Sequence, residues 1–246
     1  MKRLCLCLSL CLLALFGCAK QEQVSLTISA AASLQNALTD IQKQYETDHP
    51  NMKLSFNFGS SGALQQQIEQ GAPVDVFFSA AEDKFQALQK KGLVSEGKNV
   101  LGNKLVLVAP KNSALKGFSD LVSAKQVSMG APESVPAGKY AKQSLTKLGL
   151  WQAVESKMIY AKDVRQVLTY VETGNVEAGI VYETDAKVSD KVKIVATADA
   201  GTHDPIVYPL GVLKATKHKA EADDFYKYLQ SDAALKIFQK YGFTVL

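Results

Sequence analysis

The sequence predicts an α/β protein with largely parallel sheets, arranged as two lobes around a cleft. Three observations carry this. Strand-like and helix-like segments alternate along the chain from Val24 onward. Val74 to Phe78 and Lys104 to Ala109 (KLVLVA) are near-continuous apolar runs, as expected of strands buried on both faces. The number of such segments suits two sheets better than one, with the chain passing between lobes near Lys104 and Ile206. Residues 24–104 with 206–246 then form one lobe and residues 105–205 the other. Right-handed crossovers put helix N-termini at the carboxyl ends of the strands, where ligands bind in such sheets.

The elements follow in order. Val24 to Ala32 is a strand, and Leu34, Ala37, Leu38, Ile41 and Tyr45 then fall at helical spacing until His49-Pro50 stops the helix. Met52 to Phe58 alternates as a strand. A turn at Gly59-Ser60-Ser61-Gly62 leads into a short helix with Leu64 and Ile68 on one face and Gly71 at its end. After Val74 to Phe78 comes a helix carrying Phe85 and Leu88 that ends at Gly92. Lys104 to Ala109 is the next strand, and Val127 to Gly130 is a weaker one. A helix from about Ala137 to Leu148 stops at Gly149, and Met158-Ile159-Tyr160 is a short strand. Asp163 is an N-cap for a helix with Val164, Val167, Leu168 and Val171 inward, ended by Gly174. Ala178 to Tyr182, Val192 to Ala196 and Ile206 to Leu213 are strands. Two helices, around Phe225 to Leu229 and Leu235 to Tyr241, close the chain, and the aromatic residues of Lys236 to Phe243 are expected to pack on the first lobe.

The N-terminus is set apart from this pattern. Met1-Lys2-Arg3 precedes an apolar run, Leu4 to Phe16, broken only by Ser9, which predicts an export signal and not a membrane-spanning helix. Gly17-Cys18 resembles the end of a bacterial lipobox, so residues 1–18 are expected to be a lipoprotein signal with Cys18 lipidated. The protein is then exported and held to a membrane by its lipid, facing the periplasm or the cell exterior. All four cysteines lie in this leader. From residue 19 onward no disulfide, thiol nucleophile or cysteine metal site is available. Of 28 basic side chains Lys2 and Arg3 are in the leader, against 24 acidic ones, so the formal net charge falls from +4 to +2. That leaves no electrostatic footprint for nucleic acid. After residue 18 no apolar run is long enough to span a bilayer.

Four predicted helix starts share one chemistry: Ala30 to Leu34, Gly59 to Gly62, Glu133 to Gly138 and Asp163 to Arg165. Three are built largely from small uncharged residues that let another group approach the backbone. A helix N-terminus presents unpaired N–H groups and a partial positive charge, so it attracts anions without a cationic side chain. Taken singly, any of these serines could be a plain N-cap.

The segments AASLQNAL, FGSSGALQQQIEQGAPVDVFFSA, LGNKLVLVAPK, VPAGKYAKQSLTKLG, DVRQVLTYVETG, AGIVYETDA and FQKYGFTVL resemble, in the same order and over essentially the whole chain after the leader, the molybdate-binding proteins of ABC importers. The resemblance implies a type II periplasmic-binding-protein fold, each lobe a mixed, mostly parallel sheet flanked by helices. It also implies a ligand, molybdate or tungstate, with no cofactor, and as partners the permease and ATPase of a molybdate importer. A monomer is expected. The family's oxyanion-binding positions fall on Ser33, Ser61, Ala137, Val164 and Tyr182, with Ser60 a possible accessory. The metal enters only as its oxyanion, with no side chain coordinating it. Gly62, where some relatives have another serine, is expected to loosen the turn.

The residue chemistry agrees with that assignment. Serine hydroxyls, backbone N–H groups and a tyrosine O–H can all donate. A donor-only pocket favours a fully deprotonated dianion such as molybdate, tungstate or sulfate. A proton on hydrogen phosphate would lack an acceptor, which costs about 1–3 kcal/mol. Asp163 is expected to cap its own helix and not to supply that acceptor.

Other readings are weaker. Gly59-Ser60-Ser61-Gly62 is not the G-x-S-x-G elbow of a serine hydrolase. His49, His203 and His218 are expected at the solvated surface, and no His/Asp/Glu cluster has ligand spacing, so an enzyme is not expected. A binding protein of the same fold for sulfate or a small organic anion is the alternative. An organic carboxylate would call on Lys139 or Arg165. Both are expected on polar helix faces, away from the cleft.

Overall fold

The computed structural model describes residues 23–246; the expected leader and Cys18 lie outside the described residues. Two sheets organise the chain. The first contains β1 (Val24–Ala31), β2 (Met52–Gly59), β3 (Val76–Phe78), β4 (Val94–Gly102), β10 (Val207–Leu213) and β11 (Thr244–Val245), in the order β11-β4-β10-β3-β1-β2. The second contains β5 (Leu105–Pro110), β6 (Val127–Gly130), β7 (Met158–Ala161), β8 (Ala178–Tyr182) and β9 (Val192–Thr197), in the order β7-β6-β8-β5-β9. The chain therefore crosses between sheets at Asn103-Lys104 and again between Thr197 and Val207.

Both sheets are mixed. β1 runs parallel to β2 and β3, and β6 parallel to β7 and β8. The antiparallel pairs are β3–β10, β4–β10 and β4–β11 in the first sheet, with β5–β8 and β5–β9 in the second. The antiparallel share exceeds what alternation alone suggests, for a topological reason. β5 and β10 begin at the crossings and run away from the other lobe, so they oppose β8 and β3, whose carboxyl ends point towards it.

Helices flank the sheets with their apolar stripes inward. α1 (Gln35–Asp48) buries Ala37, Leu38, Ile41 and Tyr45. α2 (Ser61–Glu69) buries Leu64 and Ile68, and α3 (Glu82–Lys90) buries Phe85 and Leu88. In the second lobe α4 (Pro136–Lys147), α6 (Val164–Glu172) and the short α7 (Glu183–Lys187) pack on the sheet, and the short α5 (Trp151–Val154) packs against α4. The α6 stripe is Val164, Val167, Leu168 and Val171, the set the spacing predicts. α8 (Lys219–Tyr228) and α9 (Asp232–Lys240) return to the first lobe. There the Tyr241 hydroxyl donates to Asp40 at 2.7 Å. Phe78, Phe238, Phe243, Tyr208 and Tyr182 form a chain of edge-on rings with centroids 5.4–5.8 Å apart.

Three departures from expectation have physical causes. β3 is shorter than Val74 to Phe78 because Asp75 turns aside to accept from the Thr27 N–H at 2.7 Å and the Thr216 hydroxyl at 2.5 Å. β4 was not expected: it is exposed from Ser95 to Asn99, so its sequence VSEGKNVLG carries no alternation, and the ladder with β10 holds it. β11 is two residues long and too short for a pattern.

Helix–strand packing in the second lobe is close enough to dictate a residue. A Cβ on Gly138, in the first turn of α4, would lie 2.0 Å from the Gly130 carbonyl oxygen. Gly138→Ala is therefore expected to push α4 off β6 and to destabilise the fold by about 1–3 kcal/mol. The check is a urea midpoint lowered at unchanged slope; an unchanged midpoint would show that the contact yields freely.

Candidate functional site

The carboxyl ends of β1, β2 and β3 face those of β6, β7 and β8 across the cleft. Between them lies a small cavity of about 10 Å³ whose wall includes Ser33, Ser61, Ala80, Ala137, Val164 and Tyr182. This is where open parallel sheets collect helix N-termini. All five residues named from the sequence reach this one cavity, from four helix starts and one strand end, and every one is buried.

Each junction contributes differently. Ser33 sits in a single 3-10 turn, Ala32–Leu34, between β1 and α1. Its Oγ lies 2.9 Å from the Tyr208 hydroxyl. Ser61 opens α2, and its Oγ accepts from the Ala80 N–H at 2.8 Å, which leaves the Ser61 proton for the cavity. Ser60 is different. Its Oγ caps α2 by accepting from the Ala63 N–H at 3.4 Å, and it is not in the cavity wall. Pro136 begins α4, so Ala137 stands in the first turn, and Val164 is the first residue of α6. The first-turn N–H groups of Ser61, Ala137 and Val164 have no acceptor within their own helices. Asp163 also borders the cavity, but its carboxylate accepts from the Gln166 N–H at 2.9 Å, the capping role expected of it.

Tyr182 closes the set. Its side chain is 1% exposed, and its hydroxyl has no hydrogen-bond partner among the described residues. Burial, then the neighbouring Tyr208, Tyr140 and Asp185, pushes this phenol well above its ordinary value. The group stays protonated and can only donate to an anion beside it.

The lobes are closed on each other. The Gly62 N–H donates to the Ser134 carbonyl at 2.9 Å, and Lys84 donates to the Glu133 carbonyl at 3.2 Å. A Cβ at position 62 would lie 2.5 Å from that Ser134 oxygen. The expectation that Gly62 loosens the turn is thus corrected: glycine here permits a tight contact between lobes.

Arg165 also needs correction. It is not a solvated residue but 21% exposed, with Nε 2.9 Å from Asp185 Oδ1 and Nη2 3.5 Å from the Ser33 carbonyl in the other lobe. Neither Nε nor Oδ1 finds a well-aligned hydrogen bond, so their contact is an ion pair off the N–H axis. Sequence spacing placed Arg165 off the apolar stripe correctly, but it could not show a buried carboxylate waiting there. Lys139 lies on the surface between Asp204 at 3.5 Å and Asp83 at 3.7 Å. Neither cation borders the cavity.

The histidines stand elsewhere. His49 stacks on Tyr45 with ring centroids 4.0 Å apart, and His203 contacts the Asp204 carbonyl. Among the described residues no group of three or more His, Cys, Asp or Glu could hold a metal ion, and no helix is long and apolar enough to cross a membrane. The residues that sequence reasoning missed are Ala80, Asn103, Asp185 and Tyr208. Ala80, Asn103 and Asp185 lie inside the resembling segments FGSSGALQQQIEQGAPVDVFFSA, LGNKLVLVAPK and AGIVYETDA, but nothing local marks them as site residues, and Tyr208 lies in none of those segments.

Asp185 is fully buried, and burial pushes its carboxyl up from 3.8 to about 6 against the opposing pull of Arg165 and the Tyr182 N–H. The folded form holds this proton to about pH 6, whereas the unfolded chain releases it near 3.8. The stability it contributes is therefore full below pH 3.8 and lost as the pH rises through 6. Asp185→Asn removes this dependence, so the variant's stability relative to the parent should rise between pH 4 and pH 7.5 by on the order of 2–3 kcal/mol. Urea midpoints of both proteins across that range check it; parallel profiles would refute it.

Comparison with known proteins places this geometry. The family model described as a bacterial extracellular solute-binding protein matches residues 26–244. A Bacillus subtilis protein, provisionally named as an ABC transporter substrate-binding lipoprotein, is 59% identical over 228 residues, 91% of this chain and 88% of that one. A molybdate-binding protein of Haemophilus influenzae is 41% identical over 253 residues, 99% of each chain. A solved substrate-binding domain from Clostridium difficile, provisionally assigned to a molybdenum ABC transporter, superposes with a TM-score of 0.71 at 42% identity, covering 91% of this chain and all of that one. With two mixed sheets flanked by helices and a buried cavity at their facing strand ends, the chain belongs to the bacterial extracellular solute-binding proteins.

Proposed function

We propose that this protein captures molybdate or tungstate in the cavity between its lobes and delivers it to the permease and ATPase of an ABC importer. The observation that carries this is the Tyr182 hydroxyl, buried in the cavity wall without a partner among the described residues. An unpartnered buried hydroxyl costs about 1–3 kcal/mol, which an anion accepting its proton would recover. Other groups of the wall can donate as well: the hydroxyls of Ser33 and Ser61 and the first-turn N–H groups, while Asp163 beside them caps its own helix through Oδ1. The cavity, about 10 Å³, has room for one very small ligand and is far below the range of larger organic ligands. No guanidinium or ammonium enters it to select a carboxylate. Hydrogen phosphate would bring a proton that this donor set cannot accept.

The relatives support the identity of the ion. The chain is 41% identical, end to end, to a protein named for binding molybdate. The similarity to a lipoprotein supports anchoring through Cys18, with the protein facing outward. Binding without chemistry is the role. Ser61 Oγ is held by a backbone N–H, and no histidine stands in the cavity wall to act as its base.

Calorimetric titration of residues 19–246 with Cys18 replaced tests the reading. Molybdate and tungstate should bind tightly and one to one, with sulfate and phosphate much weaker. Ser61→Ala and Tyr182→Phe should each weaken molybdate about 10- to 100-fold, the worth of a hydrogen bond to a charged group. Preferred binding of sulfate or phosphate would reassign the cavity, and no binding of any of the four would overturn the oxyanion reading. Gly62→Ala should also weaken molybdate, because its Cβ opposes closure while every donor remains. Unchanged affinity in that variant would show that the Ser134 contact is dispensable.

A further inference from the structure

Ser33 is a hydroxyl with two possible roles, donor or acceptor, and its neighbours decide between them. The chain of contacts starts at Asn103, in the first crossing between the sheets. Its Oδ1 accepts from the Lys104 N–H at 2.8 Å, which identifies the opposite end of the amide as nitrogen. That nitrogen donates to Thr184 Oγ1 at 2.9 Å and to the Tyr208 hydroxyl at 3.1 Å. Tyr208, near the start of β10 where the second crossing ends, is fully buried. Its oxygen has one other hydrogen-bonded neighbour among the described residues, Ser33 Oγ at 2.9 Å.

The direction of each bond follows. An amide nitrogen cannot accept, so Tyr208 accepts from Asn103 and has one proton left to give. A buried hydroxyl proton needs an acceptor. The Tyr182 hydroxyl also neighbours Tyr208 but makes no hydrogen bond of normal geometry, so Ser33 Oγ at 2.9 Å is the acceptor. Ser33 then accepts from Tyr208, and its own proton turns to the cavity. Burial keeps the Tyr208 phenol protonated by raising it well above its ordinary value. The arrangement parallels that at Ser61, where the Ala80 N–H takes the serine's lone pair. At Ser33 the job falls to side chains, and so it can be tested by substitution.

We infer that Asn103 and Tyr208 are positioning residues whose relay of hydrogen bonds locks the Ser33 hydroxyl as a donor, and that this lock makes the cavity reject protonated oxyanions. The inference rests on the oxyanion reading above and adds its selectivity device. Without the Tyr208 proton, Ser33 can rotate and offer a lone pair to the hydrogen of hydrogen phosphate. Asn103 also joins Thr184 of the second lobe to Tyr208 of the first, so the lock is complete when the two crossings are in register.

Tyr208→Phe removes the proton and keeps the ring, which packs edge-on against Phe243 at 5.4 Å and Tyr182 at 5.8 Å. The probes are molybdate, titrated directly, and inorganic phosphate at pH 7.5, measured by displacement of molybdate. In Tyr208→Phe molybdate should weaken about tenfold while phosphate holds or improves, so the ratio of the two constants narrows about tenfold or more. Asn103→Ala, which leaves Tyr208 whole, should narrow the ratio in the same direction by a smaller factor. It keeps the test decisive if Tyr208→Phe fails to fold. Equal weakening of both anions would mean that the residues serve structure alone, and an unchanged ratio would likewise overturn the inference. If the parent protein binds no molybdate, the functional reading fails first and the relay with it. If the parent binds and the ratio does not move, only the relay fails.

Discussion

Buried polar groups must be paired, and in the wall of this cleft the hydroxyls are placed so that they have protons left to give. Ser61 gives its lone pair to Ala80, Asp163 caps its helix by accepting from Gln166 through Oδ1, and Tyr182 keeps a proton with no acceptor among the described residues. In a site shielded from water such a surplus of donors is expensive unless an anion completes it. The rest of the architecture serves this imbalance. Two sheets aim their strand ends at one point, and helices that start there bring unpaired N–H groups without adding a cation.

Closure depends on how near two backbones can come. Gly62 meets Ser134 across the cleft at a distance that excludes a side chain, and Gly138 lets α4 lie against β6 so that Ala137 reaches the cavity. Arg165 adds a contact of another kind. It is drawn from solvent by the buried Asp185 and extends to the Ser33 carbonyl, so a charge near the site ties the lobes together and stays out of the wall. Keeping the guanidinium outside preserves selection by hydrogen-bond direction. A cation inside would attract any anion, protonated or not.

The crossings between lobes are part of the site and not only its hinge. Asn103 in one and Tyr208 at the end of the other hold each other, and Tyr208 also holds Ser33. Tyr208 is supported in turn by Phe243 and Phe238, so the final residues of the chain buttress a hydroxyl beside the cavity. Such coupling lets lobe position and donor direction depend on the same few bonds.

Much of this was legible along the chain. The α6 stripe of Val164, Val167, Leu168 and Val171 and the stops at Gly149 and Gly174 could be read because amphipathic periodicity and helix ends are local properties. The small residues at the helix starts, and the segments resembling molybdate-binding proteins, singled out Ser33, Ser61, Ala137, Val164 and Tyr182. β4 was hidden because exposed strand residues need no alternation. Arg165 was misplaced because its partner Asp185 lies on another element, and Ser60 could not be told from Ser61, since only the turn geometry decides which hydroxyl caps and which faces inward. The sequence by itself determined which segments form helices and strands and which residues carry donors, because those follow from side-chain chemistry at short range. Tertiary structure alone decided that the donors share one cavity, that Arg165 stays outside it, and which way the Ser33 proton points. These follow from contacts between residues such as Ser33 and Tyr208, 175 positions apart, which no local pattern encodes.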